Sequence, residues 1–124
     1  MSAIERPLSG HDLVFRLEEQ AAELLASDAC MRAGRSARAL LREGPLRVTL
    51  VAVAPAGGIA AHHAEGPIAV QGIAGEIVFR VDDGREHRLG RGDLLTLAAG
   101  VRHAVESRAG GAFLLTTVAP GAHV

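Results

Sequence analysis

Turn-forming residues interrupt the chain from Arg35 onward at intervals of roughly eight to twelve residues. The segments between these glycine, proline and aspartate positions are short and rich in valine, leucine, isoleucine and alanine. Such spacing is typical of antiparallel sandwiches and barrels. The predicted strands cover residues 36–42, 46–54, 59–63, 67–74, 76–81, 86–89, 93–98, 102–107 and 112–118. The sequence therefore predicts a mainly β fold, a single antiparallel β-barrel.

Two local patterns add detail to this prediction. Asp83-Gly84 is predicted to be a hairpin turn, because both residue types tolerate a positive φ. In the segment 46–54 the residues at alternate positions are apolar, and we expect them to face the interior of the barrel. These residues are Leu46, Val48, Leu50 and Ala52.

A helical pattern precedes the strands. Ser9 is predicted to be the N-cap of a helix, with Asp12 favourably placed near its positive end. An apolar stripe follows at helical spacing, formed by Leu13, Leu17, Ala21, Leu24 and Leu25. We expect this α-helix to pack by its stripe on the outside of the barrel or across a dimer contact. The predicted organisation is an arm and helix at 1–34, a barrel at 35–119 and a tail at 120–124.

Composition limits the function classes that the chain can serve. Its 124 residues are enough for one domain with a core of its own. The formal net charge is only −1, and the 13 basic residues are scattered arginines, so no basic stripe is available to bind nucleic acid. Lysine does not occur in the sequence, which excludes a lysine Schiff base.

Cysteine usage and the N-terminal sequence indicate the cellular compartment. Cys30 is the only cysteine and lies in a predicted linker, so we expect no internal disulfide and a reducing environment. No basic segment followed by an apolar core opens the sequence, and no apolar run approaches the roughly 20 residues that cross a bilayer. We therefore expect a cytoplasmic protein with no membrane partner.

Two histidines occupy similar places in two separate strand units. His62 follows the turn Pro55–Gly58, and His103 follows the turn Ala99-Gly100. If the two strands lie side by side, both histidines would enter one interior, where they could anchor a small polar ligand. The alternative is that they are half-buried histidines whose ring nitrogens are satisfied by backbone, by water or by each other.

The sequence around His103 resembles the second motif of the cupin family. That motif is a glycine, five residues, proline, any residue, glycine, two residues, histidine, and three residues before an asparagine. Here the positions are taken by Gly92, Ala98, Gly100, His103 and Ser107. The spacing is complete, with alanine in place of the proline and serine in place of the asparagine.

The first cupin motif is matched only in part. Anchored on Gly75, its two histidines and glutamate fall at His62, Ala64 and Ile68, so one of the three side chains is present. The opening glycine is also displaced, because Ala56 stands where it is expected. The resemblance implies a jelly-roll cupin barrel whose metal site is partly preserved.

The resemblance also implies what the site could hold. Cupin ligand positions at His62 and His103 suit one divalent transition metal, Fe, Mn, Ni, Cu or Zn, but a metal usually needs three protein ligands. Two residues could supply the third: His63, which faces the opposite way in a regular strand, or Glu65, which would need a bulge at Gly66.

Three functional hypotheses remain open on this basis. The first is a small single-domain cupin that binds a small molecule of undefined identity, with His62 and His103 in the cavity. The second is a metal-dependent enzyme of the dioxygenase or isomerase type. The third is a sensory or structural module without cavity chemistry. The resemblance implies a homodimer, and exposed edge strands give a chain of this length a reason to pair with its copy.

Overall fold

The computed structural model describes residues 8–118. Within this range, two helices precede nine strands. They are α1 (Leu17–Leu25), α2 (Asp28–Ala33), β1 (Arg35–Glu43), β2 (Leu46–Val53), β3 (Gly57–His62), β4 (Ile68–Gly75), β5 (Ile77–Val81), β6 (Glu86–Leu89), β7 (Leu94–Leu97), β8 (His103–Ser107) and β9 (Gly111–Val118). Every predicted strand is present, most within one residue of its predicted bounds, and the turn at Asp83-Gly84 is confirmed by a φ of 89° at Gly84.

The strands form two antiparallel sheets that face each other. One has the order β1-β2-β9-β4-β7 and the other β3-β8-β5-β6. The mainly β jelly-roll prediction is confirmed, but within residues 8–118 the sheets do not join into one closed barrel. The chain changes sheets at places such as Pro55, which has no N–H to continue a ladder, so hydrogen bonding stops at β2 and resumes in β3.

Apolar residues are buried in two layers. The space between the sheets holds one cluster, formed by Val51, Val53, Ile68, Val70, Ile77, Phe79, Val81, Leu89, Leu97, Val105 and Phe113. The second cluster lies between the five-stranded sheet and the helices, and comprises Ala21, Leu24, Cys30, Leu40, Leu50, Ala52, Ala54, Ile73 and Ala112.

This arrangement reverses the face that we predicted for β2. Leu50 and Ala52 lie under the helices, whereas Val51 and Val53 point between the sheets. Alternation then places Arg47 and Thr49 on the inner face as well, because they share the parity of Val51 and β2 pairs with β9 without a bulge. The prediction was wrong because β2 is covered on both sides, by the helices on one face and by the second sheet on the other. Both faces therefore carry buried apolar residues, and polarity does not identify the inner face.

The helical region also departs from the prediction. α1 begins at Leu17, with Arg16 in the N-cap position and no side-chain cap, rather than at Ser9. Leu13 is 39% exposed, so extending the helix toward Ser9 would bury little additional apolar surface. The stripe around Leu24 packs on the chain's own sheet, one of the two placements that we expected.

Cys30 lies in α2 and not in a linker. Ser27 caps this helix by accepting a hydrogen bond from the Cys30 N–H at 3.1 Å, and Gly34 ends it in the left-handed conformation. The Cys30 side chain is fully buried in the layer beneath the helices. The short apolar sequence Ala29-Cys30-Met31 is too brief to show helical periodicity, which is why the prediction missed it.

One turn carries measurable backbone strain. Ala56 has a φ of 61° and is the third residue of a turn closed by a 2.8 Å hydrogen bond from the Gly57 N–H to the Ala54 carbonyl. Glycine is favoured there, because an alanine in this conformation costs about 1–2 kcal/mol. After subtraction of the greater unfolded-state entropy of glycine, we expect Ala56→Gly to raise the free energy of unfolding by about 0.5–1 kcal/mol.

Urea unfolding of the two proteins measures this difference. Ala60→Gly is the matched control, because Ala60 is exposed within β3, and there the substitution should lower stability by about 0.5–1 kcal/mol. Equal losses at both positions would contradict the strain at Ala56.

Candidate functional site

His62 and His103 meet at one end of the sandwich. They are direct partners on β3 and β8, and their ring centroids lie 4.4 Å apart with planes tilted by 57°. β1, β3, β5, β7 and β9 end there and β2, β4, β6 and β8 begin there, as the strand pairings require. A hydrogen bond from the Gly100 N–H to the Ala64 carbonyl (2.9 Å) ties together the two loops of this end. We call it the histidine end.

The two rings differ in their exposure. His103 is only 5% exposed and stacks on Phe79, with ring centroids 5.9 Å apart. Phe79 in turn packs edge-on against Phe113 in the opposite sheet, at 5.3 Å. His62 is exposed to solvent. The pair therefore extends from the apolar interior to the surface.

Backbone carbonyls fix both rings in the same way. Nδ1 of His62 lies 2.9 Å from the Ala60 carbonyl oxygen, and Nδ1 of His103 lies 3.0 Å from that of Val101. A carbonyl only accepts hydrogen bonds, so Nδ1 carries the proton in each ring. In a neutral imidazole Nε2 is then left with its lone pair, able to accept a hydrogen bond or to ligate a metal.

Burial lowers the pKa of His103 below its ordinary value of 6.5, and the nearby His62 and His63 add to the decrease. The hydrogen bond to Val101 and the charge of Asp82 oppose it. His103 is therefore neutral near pH 7.

This pKa shift predicts the pH dependence of stability. The unfolded imidazole binds a proton at a higher pH than the folded one, so the stabilisation is complete above about pH 6.5 and is lost as pH falls through the lower folded pKa. We expect urea unfolding curves taken from about pH 8 down to pH 5 to show a falling free energy of unfolding. The His103→Leu protein should lack this pH-dependent decrease.

His11→Ala is the control for this measurement, because His11 is exposed and is not among the groups that shift the pKa of His103. It should keep the wild-type pH dependence. A His103→Leu protein with the full wild-type decrease in stability would show that another group causes it.

The donor set at the histidine end does not fit a cupin metal site of three or four protein ligands. In the part of the chain that the structure describes, no three His, Cys, Asp or Glu side chains group closely enough to hold a metal ion. Ile68 is buried in the cluster between the sheets and Ala64 packs against that cluster, so apolar side chains fill the places of the missing ligands. His63 and Glu65 are exposed. A metal role for His62 and His103 stays a prediction.

The structure adds residues that the sequence did not single out. Phe79 supports the buried ring, and the Asp82 carboxylate accepts a 3.3 Å hydrogen bond from the Arg102 N–H just before His103. Ser107, at the position of the motif asparagine, is buried and donates to the Glu76 carbonyl at 2.7 Å, which is a structural contact. Arg47 points inward at the same end, and only knowledge of which face of β2 is internal could have revealed it.

No helix within residues 8–118 combines the length and the apolar character needed to span a bilayer.

Solved structures with the same architecture carry different functions. A conserved protein of unknown function from Streptococcus pyogenes is 22% identical, with a TM-score of 0.73 over 94% of this chain and 95% of that one. The polyketide cyclase RemF from Streptomyces resistomycificus is 20% identical, with a TM-score of 0.64 over 68% of this chain and 65% of that one. A sugar phosphate isomerase of the cupin superfamily from Silicibacter pomeroyi is 27% identical, with a TM-score of 0.60 over 72% and 62%.

No curated protein matches this chain in sequence. The structural neighbours share the fold, which by itself does not determine a reaction. The family model described as a cupin domain matches residues 49–120, more than half of the chain and the whole region between His62 and His103. With this match and the two facing jelly-roll sheets, the chain belongs to the cupin family.

Proposed function

We propose that this protein is a small single-domain cupin that binds a small molecule at the histidine end through His62 and His103. The observation that carries the proposal is the pair itself. The ring centroids of two imidazoles lie 4.4 Å apart at a solvent-accessible end, and each ring is oriented by a backbone carbonyl so that a neutral ring keeps its lone pair on Nε2. Fixed polar groups beside an apolar interior are the usual elements of a small-molecule site.

A metal-dependent enzyme of the dioxygenase or isomerase type is the second candidate. The anchored Nδ1 atoms favour it, because metal-binding histidines commonly donate their other ring nitrogen to a carbonyl. The donor count opposes it, since His62 and His103 are two ligands where catalytic sites usually have three. We therefore prefer the binding function, in which both rings contact the ligand directly.

Ligand-observed NMR with a library of small polar molecules tests the proposal, using untagged protein in the presence of a chelator. We expect ligands to be found whose binding is weakened by about two- to tenfold in His62→Ala, as expected for the loss of one hydrogen bond. His63→Ala is the control and should bind normally. Ligands that bind the wild-type protein, His62→Ala and His63→Ala equally would place the binding site elsewhere.

Metal analysis of untagged protein separates the two candidates. Stoichiometric Fe, Mn, Ni, Cu or Zn, lost from a His62→Ala/His103→Ala variant, would favour the enzyme over the metal-free binding protein. The third hypothesis, a sensory or structural module, gains support if no ligand and no metal depends on either histidine. The homodimer stays a prediction, and light scattering of the purified chain tests it.

A further inference from the structure

Two arginines lie side by side at the histidine end, and within residues 8–118 neither has an anionic partner. Arg42 on β1 and Arg47 on β2 are directly opposite each other in the antiparallel register. Like charges in this position destabilise a sheet. Neither guanidinium has an ion-pair or hydrogen-bond partner among residues 8–118, although other arginines of the chain, such as Arg38 and Arg80, are paired with glutamates.

Arg47 points into the space between the sheets. It has the parity of Val51 and Val53, which are buried in that space, and its side chain is half-buried. Thr49 and Thr117 share this inner face, and Thr117 is the β9 partner of Arg47. An unpaired, partly desolvated guanidinium is a costly feature unless an anion binds to it.

Arg47 and the two histidines line the same end from opposite sheets. Thr117 pairs with Ile68 at the start of β4, and Ile68 pairs with Leu97 at the end of β7. The loop after Leu97 leads directly to His103. Facing sheets are about 10 Å apart, so one small molecule can contact a long arginine side chain on one sheet and an imidazole on the other.

The hydrogen-bonding state of the histidines indicates which functional group the ligand carries besides the anionic group that binds the arginines. Because Nδ1 of each ring donates to a carbonyl, each neutral ring presents an acceptor at Nε2. An acceptor binds a hydroxyl or amine donor and repels a second carboxylate. Ala64 and Ile68, at positions where the family motif has ligands, instead belong to the apolar packing between the sheets.

From this juxtaposition we propose that the histidine end binds a small hydroxycarboxylate. Arg47, assisted by Arg42, holds the carboxylate, and the Nε2 atoms of His62 and His103 accept hydrogen bonds from hydroxyl. This proposal rests on the proposed binding function and names its ligand class. A free carboxylate is preferred to a neutral polyol, because only an anion relieves the repulsion between the two arginines.

Three probes with the same carbon skeleton separate the contributions of the two groups. They are 2-hydroxy-4-methylpentanoate, 4-methylpentanoate without the hydroxyl, and 4-methylpentane-1,2-diol without the carboxylate. The binding is measured by NMR titration at about pH 8, with a chelator to remove metal ions. We expect the hydroxy acid to bind at least about tenfold more tightly than the diol and about two- to tenfold more tightly than the unsubstituted acid.

The variants assign each part of the ligand to its residues. Arg47→Gln should weaken the hydroxy acid by about tenfold or more and leave the diol unchanged, whereas His62→Ala should weaken both. Arg35→Gln is the control, because it makes the same charge change at the far end of β1. At low salt we expect Arg47→Gln to unfold at the same or a higher temperature than wild-type, since it removes the repulsion with Arg42; a purely structural arginine would show a lower one.

The outcomes separate this proposal from the binding function on which it rests. If His62→Ala weakens a ligand but Arg47→Gln does not, or if the diol binds as tightly as the hydroxy acid, the hydroxycarboxylate proposal is overturned and the binding function survives. The proposal is also overturned if ring-nitrogen spectra at about pH 8 show the proton on Nε2. Absence of binding by all three probes at millimolar concentration rejects it as well, and the library experiment then decides the binding function.

Discussion

Replacing Phe79 by alanine is expected to lower the free energy of unfolding by about 3–5 kcal/mol, the range for a buried phenylalanine. Phe79 is 1% exposed, contacts Phe113 on the facing sheet and stacks on His103. Its removal therefore leaves a cavity between the sheets and takes away the support of the buried imidazole. The free energy of unfolding of a domain of this size is about 5–15 kcal/mol in total, so much of the stability would be lost.

Equilibrium urea unfolding, followed by far-ultraviolet circular dichroism, measures this loss. Leu94→Ala is the control, because Leu94 is a large apolar residue that is 64% exposed, and its truncation should change stability by less than about 0.5 kcal/mol. A Phe79→Ala protein within about 1 kcal/mol of wild-type would mean that the two sheets do not pack through this ring.

Gly72→Ala is expected to lower the free energy of unfolding by about 3 kcal/mol, through overpacking and the loss of backbone hydrogen bonds. A Cβ atom at Gly72 would lie 2.1 Å from the carbonyl oxygen of Gly90. Neither backbone can move away freely, because the Gly72 N–H donates to Asp93 and the Gly92 N–H donates to Gly72, at 2.9 and 2.8 Å. Relief of the clash must break this link between β4 and the loop before β7.

Gly90→Ala is the matched control, since it adds the same methyl group on the other side of the same contact. The nearest neighbour of its Cβ atom would be the Asp93 Oδ2 atom at 3.7 Å, an ordinary van der Waals distance. We expect its effect on the free energy of unfolding to be below about 1 kcal/mol. Similar losses for both variants would show that neither backbone at this contact tolerates a side chain, rather than that Gly72 is a specific point of close approach.

The strand boundaries could be predicted because they depend on local chemistry. Gly44-Pro45, Asp83-Gly84 and Ala99-Gly100 end strands through backbone preferences that act within a few residues. The helix start at Leu17 could not be predicted in this way. Ser9 and Asp12 form a good capping pattern, but without apolar surface to bury next to Leu13 the capping residues alone do not extend the helix.

The candidate site was predicted in part. The two histidines were identified from their position after glycine turns and from the cupin motif, and the register of β3 and β8 brings them together. Phe79 and Arg47 were missed, because nothing in the linear sequence connects an alternating strand residue to a histidine on a different strand.

The sequence by itself determined the strand boundaries to within a residue or two, since turn chemistry acts over short distances, and it identified two histidines that share an interior if their strands are neighbours. Only the tertiary structure decided which face of β2 is internal. Both of its faces are apolar, and the choice depends on α1 and α2 covering Leu50 and Ala52. That long-range packing leaves Arg47 facing the space between the sheets, where a charge that finds no partner in the described part of the chain requires an anion or water.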